Sequence, residues 1–111
     1  MILTAPFCSL THYAPFHYCT GFNKYFYNYT LETKLGFKIL ETHTNGNYYE
    51  YLGQELRRLP SIGKRYSKKT IGFFSKLLIG LLLTDLKKLS DCDSGSEELL
   101  CHGYHIVAEK K

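Results

Sequence analysis

The sequence has no tryptophan, one methionine, three prolines and no apolar run beyond Leu77–Leu83. A membrane-crossing helix needs about twenty apolar residues, so a run closed by Lys76 and Asp85 reads as a buried helix and no membrane span is expected. The four cysteines, Cys8, Cys19, Cys92 and Cys101, include no C-x2-C pair, so no regular zinc module is written in the chain. Phosphate-binding P-loop and dinucleotide glycine signatures are absent. There is no nucleophile elbow and no pair of carboxylates at suggestive spacing. Catalysis is therefore not expected, nor is a cofactor. Met1–Leu10 lacks a charged start and is interrupted by Pro6, unlike a secretory signal. Reduced thiols in the cytoplasm are the expectation. In a secreted protein the same cysteines would allow three disulfide pairings, and Asn28-Tyr29-Thr30 would be a glycosylation acceptor.

What is present is aromatic and basic. Ten tyrosines and seven phenylalanines supply large apolar area, much of it with a polar tip, which suits half-buried sheets and binding surfaces alike. The formal charge of +4 is mild, but it is unevenly spread. Arg57, Arg58, Lys64, Arg65, Lys68, Lys69 and Lys76 lie in a stretch with no carboxylate, whereas Asp85, Asp91, Asp93, Glu97 and Glu98 follow with only Lys87 and Lys88 among them. Such asymmetry marks either an electrostatic footprint for nucleic acid or anionic lipid, or two segments that lie against each other.

The length of 111 residues fits one small domain. Residues 1–53 read as mainly strand and loop, 54–90 as a helical hairpin-like region, and 91–111 as loop and tail. Phe22–Thr30 is dense in strand-favouring residues. Thr44-Asn45-Gly46-Asn47 carries a type I′ turn signal, which predicts that Phe37–Thr42 and Tyr48–Leu52 pair as a hairpin. Gln54–Leu59 reads as a short helix ended by Pro60, with Ser61-Ile62-Gly63 as a tight turn. Tyr66–Leu89 reads as the main helix, with Ile71, Phe74, Leu78, Leu81, Leu82, Leu86 and Leu89 on an apolar stripe. Glu97–Cys101 reads as a short helix and Ile106–Ala108 as a strand. The fold class expected is α+β: a small aromatic-rich antiparallel sheet packed against a C-terminal helical region.

Leu56 to Arg65, with Pro60, Ile62 and Gly63 at its centre, resembles a helix-hairpin-helix motif, although Ser61 stands where the first hairpin glycine belongs. Over residues 52–104 the pattern is similar to the start of the recombination mediator RecR family. That resemblance implies nucleic-acid binding, with hairpin amides at a helix N-terminus receiving a phosphate oxygen. RecR proteins also carry a four-cysteine zinc site. Here Cys92 and Cys101 stand near the expected places, but Gly95 and Tyr104 occupy the partner positions, and the sequence stops before any Toprim domain. His102 and His105 would complete only an irregular ligand set. Residues 31–52, with Lys34-Leu35-Gly36-Phe37-Lys38 and Tyr48-Tyr49-Glu50-Tyr51-Leu52, look like the C-terminal hairpin of GNAT-type N-acetyltransferases. The pyrophosphate-cradling loop of that family is missing.

Two further clusters complete the reading. Cys8, His12, His17 and Cys19 form a Cys/His group that matches no zinc-module spacing, and their aromatic neighbours fit a packed sheet edge instead. The candidate nucleic-acid-binding residues are Arg57, Arg58, Ile62, Gly63, Lys64, Arg65, Tyr66, Lys68 and Lys69, contacting DNA or RNA. Ile62 and Gly63 would shape the corner, the cations would neutralise phosphates, and Tyr66 would stack on a base. The alternative is a protein-interaction or structural module that meets a partner helix through Leu77, Leu78, Leu81, Leu82 and Leu86. A third reading is an inactive fragment of a larger family.

Overall fold

The computed structural model describes residues 1–11 and 19–111. Two asparagine caps decide the local structure of the first half. Asn23 adopts an extended conformation and its side chain accepts the Phe26 amide at 3.1 Å. This starts helix α1 (Lys24–Asn28), which continues through a wider π-type turn at Tyr29–Lys34. Asn47 does the same for Glu50, at 3.0 Å, and opens helix α2 (Tyr48–Ile62). A side chain that satisfies an otherwise orphaned amide stabilises a helix start by about 1 kcal/mol. Both caps outweigh the strand preference of the tyrosines that follow them.

The strands are β1 (Ile2–Pro6), β2 (Phe37–Asn45) and β3 (Gly103–Lys110). They form an antiparallel sheet in the order β1-β3-β2. The C-terminal strand is thus central, flanked by the first strand and by β2, whose register shifts between Ile39 and Glu41. Tyr104, Ile106 and Ala108 alternate along β3 toward one face and are all buried. Leu3 and Ala5 pair with Ile106 and Tyr104, and Tyr27 and Leu31 join the same cluster from above. Tyr27 donates to the Pro6 carbonyl at 3.1 Å. Lys24 and Tyr25 both bond Glu98, which ties α1 to the 3-10 turn Ser96–Glu98. The other sheet face is polar and open, with His105, Glu109, Lys38 and His43 exposed, as one-sided antiparallel sheets allow.

After α2 the chain runs through a second π-type turn (Gly63–Ser67) into helix α3 (Phe73–Asp91). The two helices pack on each other where Gly53, the one buried residue of α2, meets Leu83 and Leu86. Asn47 bonds Ser90 at 2.9 Å and holds their bases together. The molecule measures 57 × 39 × 17 Å, flat and elongated.

The α+β class matches the sequence expectation, while several element assignments change. Phe22–Thr30 forms no strand, and from Lys24 on it is helical because of the Asn23 cap. Gly46 takes the positive φ of +73° that the turn signal requires, but Asn47 caps a helix instead of leading into a second strand. The hairpin expected between Phe37–Thr42 and Tyr48–Leu52 does not form; β2 pairs with β3. Pro60 lies inside α2 rather than ending it. Residues 91–111, expected as loop and tail, hold the central strand, which extends well beyond Ile106–Ala108.

Candidate functional site

The basic segment occupies the far end of the α2–α3 hairpin, and its bend is not where the sequence pattern suggested. Ser61 donates to the Arg58 carbonyl at 2.8 Å. Gly63 stays right-handed helical (φ −57°), and its amide is bonded to the Leu59 and Pro60 carbonyls. The chain reverses only at Lys68, a left-handed residue with φ +53°. No free amide of a tight Ser61–Gly63 turn is therefore offered to an anion. Lys64 and Arg65 sit in the last helical turn, where the carbonyl end of the helix dipole favours cations.

The predicted site residues separate into two groups. Lys64, Arg65, Tyr66, Lys68 and Lys69 are exposed together at the tip, and Ile62 is exposed just before it. The Arg65 guanidinium lies 5.3 Å from the Tyr66 ring centre, and that ring is 72% exposed. Among the described residues, none of the four tip cations forms an ion pair. Arg57 and Arg58 lie further down α2 and face elsewhere. Arg58 pairs with Glu55 at 2.8 Å. Arg57 lines a cleft of about 430 Å³ at the base of the hairpin, with Asn45, Glu50, Lys87, Asp91 and His102. No sequence spacing signals that cleft, since its residues come from β2, α2, α3 and the approach to β3.

The second feature is α3 itself. Ile79, Leu83, Leu86 and Ser90 turn toward α2 and are half-buried or buried. The stripe expected to be core points outward: Phe74 is 78% exposed and Leu78 65%, and Leu77, Leu81, Leu82 and Leu89 are exposed too. Of the five leucines offered as a partner surface, Leu86 is buried against α2 and the other four are open. The Leu77–Leu83 run is thus helical as expected but not buried. Phe73 and Phe74 alone present on the order of 300 Å² of ring surface. The largest apolar patch on an ordinary monomer is about 300–600 Å² in total. Asp85 is the one charge within the stripe, weakly joined to Lys88 at 3.6 Å.

The thiols and histidines of the described residues do not converge. Cys101 is buried, its thiol donating to the Gly103 carbonyl at 3.4 Å, and burial pushes its pKa up. Cys92 is exposed at the end of α3. His102 packs against the Tyr51 ring, 5.5 Å between centres, and His105 bonds the Thr4 hydroxyl at 3.0 Å on the open sheet face. Among the described residues no three His, Cys, Asp or Glu side chains gather where they could hold a metal ion. His12 and His17 of the N-terminal cluster lie outside the described residues. The Tyr51 phenol is pushed up to about 12 by its hydrogen bond with Cys8 and by burial.

No described helix is long and apolar enough to cross a membrane. No protein-family model matches the chain, and neither a curated protein nor a solved structure matches it.

Proposed function

We propose that this protein is an interaction module whose α2–α3 hairpin docks on a protein partner through the outward face of α3. The observation that carries the reading is the stripe Phe74, Leu77, Leu78, Leu81 and Leu82, apolar at helical spacing and exposed throughout. Burying such side chains is worth roughly 1.5–3 kcal/mol each, so a complementary helix laid along the stripe gains several times that. Helix-in-groove and helix-on-helix recognition use the same i, i+3, i+4, i+7 anchors. The free cysteines fit a reducing compartment such as the cytoplasm.

The test is a photo-reactive amino acid at Leu78 in the full chain, expressed in cells and irradiated. Discrete protein adducts are expected at Leu78 and none at Thr4 on the polar sheet face. An absence of adducts at Leu78 and again at Leu81 would remove this reading.

A second reading, contact with DNA or RNA, is favoured by the tip, where Lys64, Arg65, Lys68 and Lys69 are exposed and Arg65 lies beside the exposed Tyr66 ring. Phosphate contacts would supply affinity without sequence selection, and Tyr66 would stack on an unpaired base. The mode implied by the helix-hairpin-helix resemblance gains no support, since the Gly63 amide is used within the helix. This reading predicts binding to single-stranded or duplex nucleic acid at about 50 mM salt that weakens steeply as salt rises. Lys64→Glu with Arg65→Glu should abolish that binding. Failure to bind at low salt removes it.

A further inference from the structure

Resting on the interaction reading above, we propose that the partner is a second copy of this chain. The two α3 helices pair antiparallel, so that the cationic tip of each hairpin meets the acidic base of the other.

Three observations on α3 converge on this occupant. The first is the apolar stripe itself, continuous from Phe74 to Leu82. The second is the charge order along the hairpin. Lys64, Arg65, Lys68 and Lys69 stand before α3 with no carboxylate among them, and Asp91, Asp93 and Glu97 stand at or beyond its far end, where Glu98 is already paired with Lys24. Helix α3 has 19 residues, so these poles lie about 28 Å apart at 1.5 Å per residue. That is well beyond the roughly 8 Å over which charges act at physiological salt. Within one chain the poles cannot neutralise each other, and a twofold axis across α3 brings them together twice.

The third observation is Asp85, a carboxylate that interrupts the exposed apolar face of α3 between Leu82 and Leu89. A heterologous apolar partner would bury it at a cost of several kcal/mol. An axis near Leu77 and Leu78 sets Phe74 of one copy against Leu81 of the other. The same axis brings the Lys68–Lys69 turn beside Asp85. The contact is isologous and closed, as self-complementary dimers require. Parallel pairing would instead stack the tips cation on cation. A nucleic acid would satisfy the tip and leave the stripe in water, whereas the antiparallel dimer covers both. The outcome is a four-helix arrangement, α2 and α3 from each copy, with the two sheets at opposite ends.

The test is sedimentation equilibrium of the full chain over a range of concentrations. The expected mass at the upper end is twice 12.9 kDa. Leu78→Asp should leave circular dichroism unchanged and give a monomer throughout. Lys68→Glu with Lys69→Glu should weaken association at least tenfold, and so should Asp85→Lys with Asp91→Lys. An equal mixture of these two variants should associate as tightly as the unaltered chain, because each heterologous pair restores both tip-to-base contacts. A chain monomeric at every concentration overturns the dimer. So does association that Leu78→Asp breaks but the mixture fails to rescue, since the antiparallel arrangement is then wrong. If the chain is monomeric while Leu78 cross-links to a different protein in cells, only the self-association falls. If no adduct forms at all, the interaction reading falls with it. A monomer whose only association is salt-sensitive binding to nucleic acid overturns both.

Discussion

The sheet and the helical hairpin use hydrophobic residues in opposite ways. In the sheet, Tyr104 and Ile106 on the central strand are 2% and 0% exposed. They are roofed by Tyr27 and Leu31, and even the N-terminal ammonium of Met1 is used, donating to the Ala108 carbonyl. In the hairpin, α3 is the richest apolar segment of the chain, yet Leu86 is its one buried residue. The contrast is one of completeness: the sheet end closes its own core, while the hairpin end closes only the seam between its two helices. Stability should therefore reside in the first region and association in the second.

The largest expected effect breaks the first half of that comparison. Ile106→Ala should cost about 2–5 kcal/mol, the range for truncating a fully buried branched side chain, read as a lowered midpoint in urea unfolding. If Ile106→Ala costs no more than Leu81→Ala, the sheet is not the stabilising centre. Gly21→Ala comes next. Gly21 has φ +134°, and an added Cβ would sit 2.3 Å from the Pro6 carbonyl oxygen. Strain of this kind costs on the order of 1–3 kcal/mol, and the loss should be visible in thermal melts.

Much of this division was legible in the residues, and what was not has local causes. The α+β class followed from composition and order; Ile106–Ala108 lies in β3, and the helix that 3.6-residue periodicity set at Tyr66–Leu89 begins only at Phe73, after the bend at Lys68. The hairpin at Gly46 failed because two signals overlap there: Asn45-Gly46 turns the chain, and Asn47 with Glu50 three residues on starts a helix. The turn was recognised and the cap was not. Pro60 reads as a helix stop, yet the α-helix passes it and runs to Ile62 before the π-type turn at Gly63–Ser67. Periodicity told which face of α3 is apolar, but not whether anything covers it, because covering depends on where the hairpin points. The basic tip was legible as a cluster. Its geometry was not, since the bend at Lys68 has no glycine to announce it.

The alkaline limb sharpens the comparison from the side of the core. Burial pushes the Tyr104 phenol up to about 12, from about 10 in an unfolded chain. Its neutral form is the one the fold favours, so the contribution is complete below pH 10. It is lost as pH rises from about 10 to 12, where the unfolded chain releases the proton first. A decline of about 1–3 kcal/mol across that window is expected. Tyr104→Phe should reduce it and leave the share of Tyr51, whose phenol is also raised to about 12, measured by urea unfolding at pH 9 and at about pH 11.5. A smaller loss, about 1 kcal/mol, is expected from Asn47→Ala. Its signature is faster amide exchange in the first turn of α2, with the sheet unaffected.

The smallest effect is the one that separates the two regions most sharply. Leu78→Asp replaces an exposed leucine, so the folding stability of a dilute, unassociated chain should change by less than about 0.5 kcal/mol. At higher concentration the proposed self-association should add stability to the unaltered chain, because only the folded form would bind its partner. Its melting temperature should then rise with protein concentration. The variant's should not, as it has lost the stripe through which the gain is made. Two melting series, one for each protein, make the measurement. Parallel rises would place the self-association surface away from α3. Two flat lines would mean that the stripe has no role between copies of this chain and awaits a different partner. A divergence that grows with concentration, with the curves meeting at the dilute end, is the outcome expected of a closed sheet core carrying an open helical arm.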